Sequence, residues 1–382
     1  MAAVGLMRIF VASAAELLTD HLSNGEGLIA WNLLERLAAR GHEIVACAGA
    51  VDLRASPTFE VVAVGRECRI TALGGVAYEH AVRRELKRRG GSSAFDVGHW
   101  LFPQHPEFAQ IPSGLPFVIG PLSLSWPVEP GIRYLGLKGR LSAALTRPPL
   151  RRRHRRMLER SHVLASVPEV LSRLSASARA RASVVPFGIE LRPYSQTALP
   201  DTPTVLYVGR VSPEKRVGDL IEAFAQLPEH LGARMLVGGD GPDLPHIRRL
   251  VAEHRVGDRV ELLGTVQRED VPALLARGTV LASAAVGEPF GMTTLEAMAA
   301  GRPVIGIDLN GPRYLIDEGR GGHRVAPRDV SGLAAAMTAL LSDRRRATEM
   351  GCYNRGRVEG EFSYDRVIPQ LEAAYVTARD ER

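Results

Sequence analysis

Short apolar runs alternate with amphipathic, helix-length stretches along almost all of the 382 residues, and near the middle the alternation starts again. "MRIFVASA" (7–14) reads as a strand. The polar loop "TDHLSNGEG" follows, then the helix pattern "LIAWNLLERLAARGH", a stop at Gly41 and the buried strand "EIVACAGA". That is the repeating piece of a parallel sheet. Further strands are expected at "FDVGHW", "PFVIG", "SHVLAS" and "ASVVPFG". After the Pro-containing stretch "ELRPYSQTALPDTP" the cycle repeats through "TVLYVGR", "VGDLIEAFAQL", "RMLVGG", "LPHIRRLVAEH", "RVELLG", "TVLASA", "TTLEAMAAG" and "PVIGID". The fold class is therefore α/β, with two Rossmann-like doubly wound domains facing an interdomain cleft. The expected boundaries are 1–188, a linker at 189–202, 203–362, and a C-terminal helix at 363–382 packing back on the first domain. In such sheets ligands bind beyond the carboxyl ends of the strands.

Bulk properties remove several classes. A 45% hydrophobic, 24% charged chain fits a soluble globular enzyme rather than a disordered or fibrous one. No apolar run reaches the ~20 residues of a membrane helix. The start lacks the positive region of a signal peptide, and Arg8 interrupts its apolar run. Cys47, Cys68 and Cys352 are far apart and form no CxxC pair, which disfavours a structural zinc or a disulfide framework. A cytoplasmic protein is expected. The net charge of +6 is compatible with an anionic small substrate, surface or nucleic acid. Only three of the 48 basic residues are lysine: Lys87, Lys138 and Lys215. A chain that otherwise uses arginine makes each lysine notable, and Lys215 is the one outside a charge-rich surface stretch.

Two constellations carry chemistry. In "YVGRVSPEKRVGDLIEAF" a strand ends at Val208, Gly209 turns, and Arg210 and Lys215 precede a helix. A strand end beside a helix start favours anions, and a planar fork plus a compact ammonium suit a diphosphate. In "GEPFGMTTLEAMAAGRPV" two acids, Glu288 and Glu296, sit on a segment otherwise small and apolar, where an unpaired charge is costly. Glu288 lies outside a helix that begins near Gly291, and Glu296 about one turn past Met292. A carboxylate can accept two hydrogen bonds from adjacent hydroxyls. Two of them near an anion site suggest a polyol carrying a phosphate. The plainer readings are a helix-dipole partner for Glu288 and a satisfied structural carboxylate for Glu296.

"VGRVSPEKRV", "VGGDGP", "LLGTVQREDVPALLA" and "GEPFGMTTLEAMAAGRPVIG", in this order, resemble the retaining glycosyltransferases of family 4, which have the GT-B fold and include glycogen-synthase-like and mannosyltransferase-like enzymes. The resemblance covers the second domain almost entirely. It is looser in the first, at "LLERLAARGHEIVACA", "FDVGHW" and "VVPFGIEL". It implies an acceptor-binding first domain and a nucleotide-sugar-binding second one. Arg210 and Lys215 would hold the donor diphosphate and stabilise it as it leaves. Glu296 would bind the ribose hydroxyls and Glu288 the transferred sugar. Amides of Phe290, Gly291 and Met292 would face sugar and phosphate, with Gly209 and Thr293 beside them. Gly25 and Gly27 would let the first domain approach the phosphates. The donor expected is a UDP- or GDP-hexose, and the acceptor a hydroxyl of a natural product or of a cell-envelope saccharide or lipid. The nucleotide-sugar is a co-substrate; no cofactor and no metal is expected.

The family's sugar-contacting histidine after the strand "PFVIG" is missing: Gly120, Pro121, Leu122 and Ser123 stand there. Contacts to sugar or acceptor are therefore expected from His99, Gly120 and Ser123. The arginine run "TRPPLRRRHRRMLER" reads first as a solvated helix and second as a contact to an anionic membrane surface. The DxD pair of metal-dependent transferases and a GxGxxG fingerprint after the first strand are both missing, and no nucleic-acid partner is expected. The competing reading is a binding protein that kept the fold without catalysis.

Overall fold

The computed structural model describes residues 5–22, 25–65, 71–102, 114–123, 152 and 154–381, and divides into two units, Met1–Gly188 with Tyr364–Arg382, and Ile189–Ser363. Residues 189–202 thus count with the second unit, where Ile189 forms a parallel bridge to Ser363.

The first unit is built on seven parallel strands in the order Glu60–Ala63, Glu43–Ala48, Arg8–Ser13, Val97–Trp100, Phe117–Leu122, His162–Ala165, Ala182–Val184. Ile9, Phe10 and Val11 have no solvent exposure, as a central parallel strand covered on both faces requires. The helix Gly25–Ala39 buries Ile29, Leu33 and Leu37, one per turn. Gly41, at φ +95°, ends that helix by donating its N–H to the Ala38 carbonyl. The last helix, Tyr364–Asp380, lies against the strand Phe117–Leu122 and the helix Gly25–Ala39. Its Glu372 is 2% exposed and accepts two hydrogen bonds from Arg40, at 2.6 and 2.9 Å, and one from His42 Nε2 at 3.0 Å. Burial alone would raise that carboxyl; the Arg40 and His42 hydrogen bonds outweigh it and hold the pKa below the usual range.

Three strands of this unit escape the sequence reading. Glu60–Ala63 is an edge strand with no buried residue, and Leu17–Thr19 pairs in parallel with Ala50–Asp52 as a separate small ribbon.

The second unit has six parallel strands in the order Val260–Gly264, Arg234–Gly238, Thr204–Val208, Val280–Ala282, Val304–Ile307, Gly322–Val325. Counted along the chain this is 3-2-1-4-5-6, the order of a doubly wound nucleotide fold. The helix Val217–Ala225 contributes Val217, Leu220, Ile221 and Phe224 to a core shared with Val205, Met235, Val237, Ile305, Leu333 and Met337. Asp329 and Asp343 cap the helices Val330–Ser342 and Arg344–Arg357 by accepting from Gly332 N and Arg346 N. Among the described residues no helix is long and apolar enough to cross a membrane.

Candidate functional site

In the second sheet the chain order reverses between Thr204–Val208 and Val280–Ala282. In sheets of this topology the loops leaving the carboxyl ends of the strands at such a reversal frame the usual ligand position.

The first loop is held by backbone. Gly209 sits at φ +149° and donates to the Gly238 carbonyl at 2.9 Å; Val211 donates to the Asp240 carbonyl at 2.8 Å. A Cβ on Gly239 would lie 1.8 Å from the Gly209 oxygen, and one on Gly241 would lie 2.1 Å from the Val211 oxygen. The glycines of "VGGDGP" are therefore needed so that one loop can lie directly on the other. The Tyr207 hydroxyl donates to the Arg210 carbonyl at 2.7 Å, leaving the Arg210 side chain exposed. Lys215 closes the short turn Pro213–Lys215 before the helix Val217–Ala225.

The second loop brings Glu288 to Lys215. The ammonium donates to Glu288 Oε2 at 2.6 Å across 73 residues of sequence, and both side chains stay partly exposed, at 30% and 21%. Gly311 donates to the Glu288 carbonyl at 3.3 Å, and a Cβ on Gly311 would lie 2.0 Å from the Phe290 oxygen. Phe290 is 2% exposed, edge-on to Phe362. Gly291, at φ +102°, heads the helix Met292–Ala299, a conformation open to glycine and costly for most other residues. Met292 and Thr293 are partly exposed in its first turn.

Glu296 lies in the middle of that helix, with the Tyr194 hydroxyl hydrogen-bonded to it. Burial pushes its carboxyl above the ordinary carboxylate range, while the Arg268 charge and the Tyr194 hydrogen bond work against the shift. So Gly209, Arg210, Lys215, Glu288, Phe290, Gly291, Met292, Thr293 and Glu296 all lie in one unit, on the loops and helix that follow these strands. The two acids of the apolar segment both have partners, Lys215 for Glu288 and Tyr194 for Glu296. The sequence reading missed Tyr194, Arg268, Gly239, Gly241 and Gly311. The runs of glycine after strand ends were a visible signal; Tyr194 had none.

Gly25, Gly27, His99, Gly120 and Ser123 belong to the first unit. Gly25 has open space where a Cβ would be, whereas a Cβ on Gly27 would lie 2.0 Å from the Leu17 oxygen. Gly27 is thus required by a close approach inside its own unit. His99 is fully buried. Its Nε2 is 2.7 Å from the Gly120 carbonyl, which only accepts, so Nε2 carries the proton and Nδ1 accepts from the Tyr375 hydroxyl at 2.7 Å. Both ring nitrogens are used, and burial pulls the pKa down to about 4. His99 is therefore held on both ring nitrogens by partners within the first unit. Gly120 is at φ +112°, and a Cβ there would lie 2.4 Å from the Leu164 oxygen. The stretch beyond Ser123 and the beginning of the arginine run, 124–151 and 153, lie outside the described residues, as do Ser23 and Asn24 before Gly25.

Residues 194–357 match the family described as "Glycosyl transferases group 1". The chain is 32% identical over 171 residues to N-acetyl-alpha-D-glucosaminyl L-malate synthase of Bacillus anthracis, a match covering 45% of this chain and 44% of that protein. It spans less than half the length of the first curated relatives it matches. Among solved structures, sucrose-phosphate synthase from Thermosynechococcus elongatus superposes with a TM-score of 0.77 at 21% identity, covering 98% of this chain and 100% of that one. Anabaena HepE in complex with UDP-glucose gives a TM-score of 0.68 at 17% identity, covering 97% of this chain and 100% of that one. Residues 194–357 are thus similar to the group 1 glycosyl transferases, and the two doubly wound units have the GT-B fold.

Proposed function

We propose that this protein is a retaining, metal-independent hexosyltransferase, which moves a sugar from a nucleoside-diphosphate hexose onto a hydroxyl of a saccharide, natural product or lipid. One observation carries the reading: a Lys215–Glu288 ion pair, with Arg210 on the same loop, at the reversal point of a 3-2-1-4-5-6 sheet and beside the helix headed by Gly291. Arg210 and Lys215 neutralise the diphosphate. An ammonium has three N–H groups, so Lys215 can keep Glu288 in place while binding a phosphate oxygen. Glu288 receives hydroxyls of the transferred sugar, Glu296 those of the ribose, and the amides of 290–292 face sugar and phosphate.

In the reaction the bond from the sugar's anomeric carbon to the diphosphate oxygen breaks, and a bond to the acceptor oxygen forms on the same face. The acceptor's proton passes to the departing phosphate, and the leaving charge is held by Arg210 and Lys215. Such preorganised cations stabilise charge that develops only in the transition state. The setting is the cytoplasm or the inner face of its membrane.

HepE was solved with UDP-glucose, which makes that sugar nucleotide the first donor to try, with GDP-mannose second. The test is a screen of sugar nucleotides by thermal shift, followed by release of nucleoside diphosphate with and without acceptors. The expected result is a donor that raises the melting temperature by mass action and whose turnover is lost in Lys215→Ala. A protein that neither binds nor consumes any sugar nucleotide would end this reading.

A further inference from the structure

We propose that Tyr194 is a positioning residue for donor binding: its hydroxyl orients the Glu296 carboxylate toward the ribose, from a segment clamped to the Glu296 helix by two arginines. The inference rests on the proposed function of the site and adds to it a residue outside every motif of the second domain.

Tyr194 is 6% exposed and precedes the first strand of its unit by ten residues. Its backbone is fixed to the helix Met292–Ala299. Arg355 Nη1 donates both to the Tyr194 carbonyl and to the Ala299 carbonyl, the latter at 2.6 Å. Just beyond the helix, Arg302 is 1% exposed and reaches the same segment through Thr197 Oγ1 and the Ala198 carbonyl. Gly301 completes the contact, since a Cβ there would lie 2.7 Å from Gln196 Cγ. Two guanidiniums thus hold residues 194–198 against the end of the helix whose middle carries Glu296. From that clamp the phenol reaches Glu296.

The chemistry explains why a hydroxyl is useful there. Ribose binding needs a carboxylate with two lone pairs free for adjacent hydroxyls, yet burial disfavours the ionised form. Arg268 and the Tyr194 hydroxyl are the two groups that act against that desolvation. A phenol donating to one carboxylate oxygen also fixes the plane of the group, so the remaining lone pairs point one way. Arg268 is exposed and contributes charge without that geometry.

Tyr194→Phe keeps the ring and removes the donor. Losing a hydrogen bond to a charged group weakens donor binding by about tenfold or more. The expected result is a donor KM raised by that factor with kcat little changed. Glu296 in the variant stays protonated to higher pH, so the KM defect shrinks as pH rises. A merely structural loss would raise KM equally at every pH. Glu296→Gln supplies the second arm: if Tyr194 acts through Glu296, adding Tyr194→Phe to that background costs nothing further, as a double-mutant cycle measures directly. Should the Phe variant melt early, the same comparison is made below its melting temperature, where the cycle with Glu296→Gln still isolates the hydroxyl. A Tyr194→Phe enzyme with unchanged KM, a defect independent of pH, or one fully additive with Glu296→Gln would overturn the inference while leaving the donor site intact. A wild-type protein that binds no nucleoside diphosphate or sugar nucleotide would take down the proposed function, and this inference with it.

Discussion

Titrating His99 separates a structural ring from one that meets a ligand. In the native protein its pKa is pulled down to about 4 by burial, against an ordinary value of 6.5; the unfolded chain titrates near the ordinary value. Between those two values the unfolded chain binds more protons than the folded one. Stability therefore rises with pH across that window, by up to about 1.4 kcal/mol per pH unit. It is complete above the unfolded pKa and is lost as pH falls toward 4, for a total of about 3 kcal/mol. The assay compares wild type with His99→Gln by urea unfolding from pH 7.5 down to 4. Trp31, Trp100 and Trp126 all precede residue 188, so tryptophan fluorescence reports the first unit selectively. Other titrations cancel in the difference between the two proteins, and so does any constant cost of the substitution. Wild type should lose about 3 kcal/mol more than the variant over that range. Parallel curves would refute the assignment, as would an imidazole pKa near 6.5 by NMR in the folded protein; either would mean that the ring reaches water or a ligand.

Three further outcomes follow from the contacts. Gly311→Ala should fold but displace the Glu288–Gly291 loop, because its Cβ would lie 2.0 Å from the Phe290 oxygen; donor kcat/KM should fall about 5- to 150-fold for a loss of ~1–3 kcal/mol, and an unchanged value would show that the loop accommodates it freely. Arg302 is buried and donates to neutral oxygens among the described residues, including the Leu275 and Ala276 carbonyls. Arg302→Lys lacks the planar fork and should lower the second unit's stability by about 2 kcal/mol, measured by calorimetry. Arg40→Ala leaves the buried Glu372 with His42 alone and should destabilise the first unit by about 3 kcal/mol at neutral pH. Because the Glu372 pKa is depressed, that penalty should fade as pH falls through the carboxylate range, which chemical unfolding at several pH values would show.

How far each element could be read in advance followed its burial. Central strands such as Arg8–Ser13 are apolar at nearly every position and were legible from composition alone. The edge strands Glu60–Ala63 and Gly322–Val325 were not, since four-residue strands that mix charged with apolar residues carry no continuous apolar signal. Lys215 stood out because lysine is rare in this chain, and Glu288 because it interrupts an apolar run. Their pairing across 73 residues could not be seen, nor could the burial of His99 by Tyr375 from 276 residues away.

By itself the sequence determined the alternation of strand and helix, the restart after the proline-containing stretch, and the residue types offered to an anion and a polyol. Those are local properties, set by periodicity, propensity and side-chain chemistry within a few residues. Only the tertiary structure decided which glycines serve backbone contact, that His99 is enclosed and already bonded, and that Glu296 has Tyr194 as its partner. The reason is physical: hydrogen bonds and steric approach act over a few ångströms in space, and the chain segments that meet there are dozens to hundreds of residues apart.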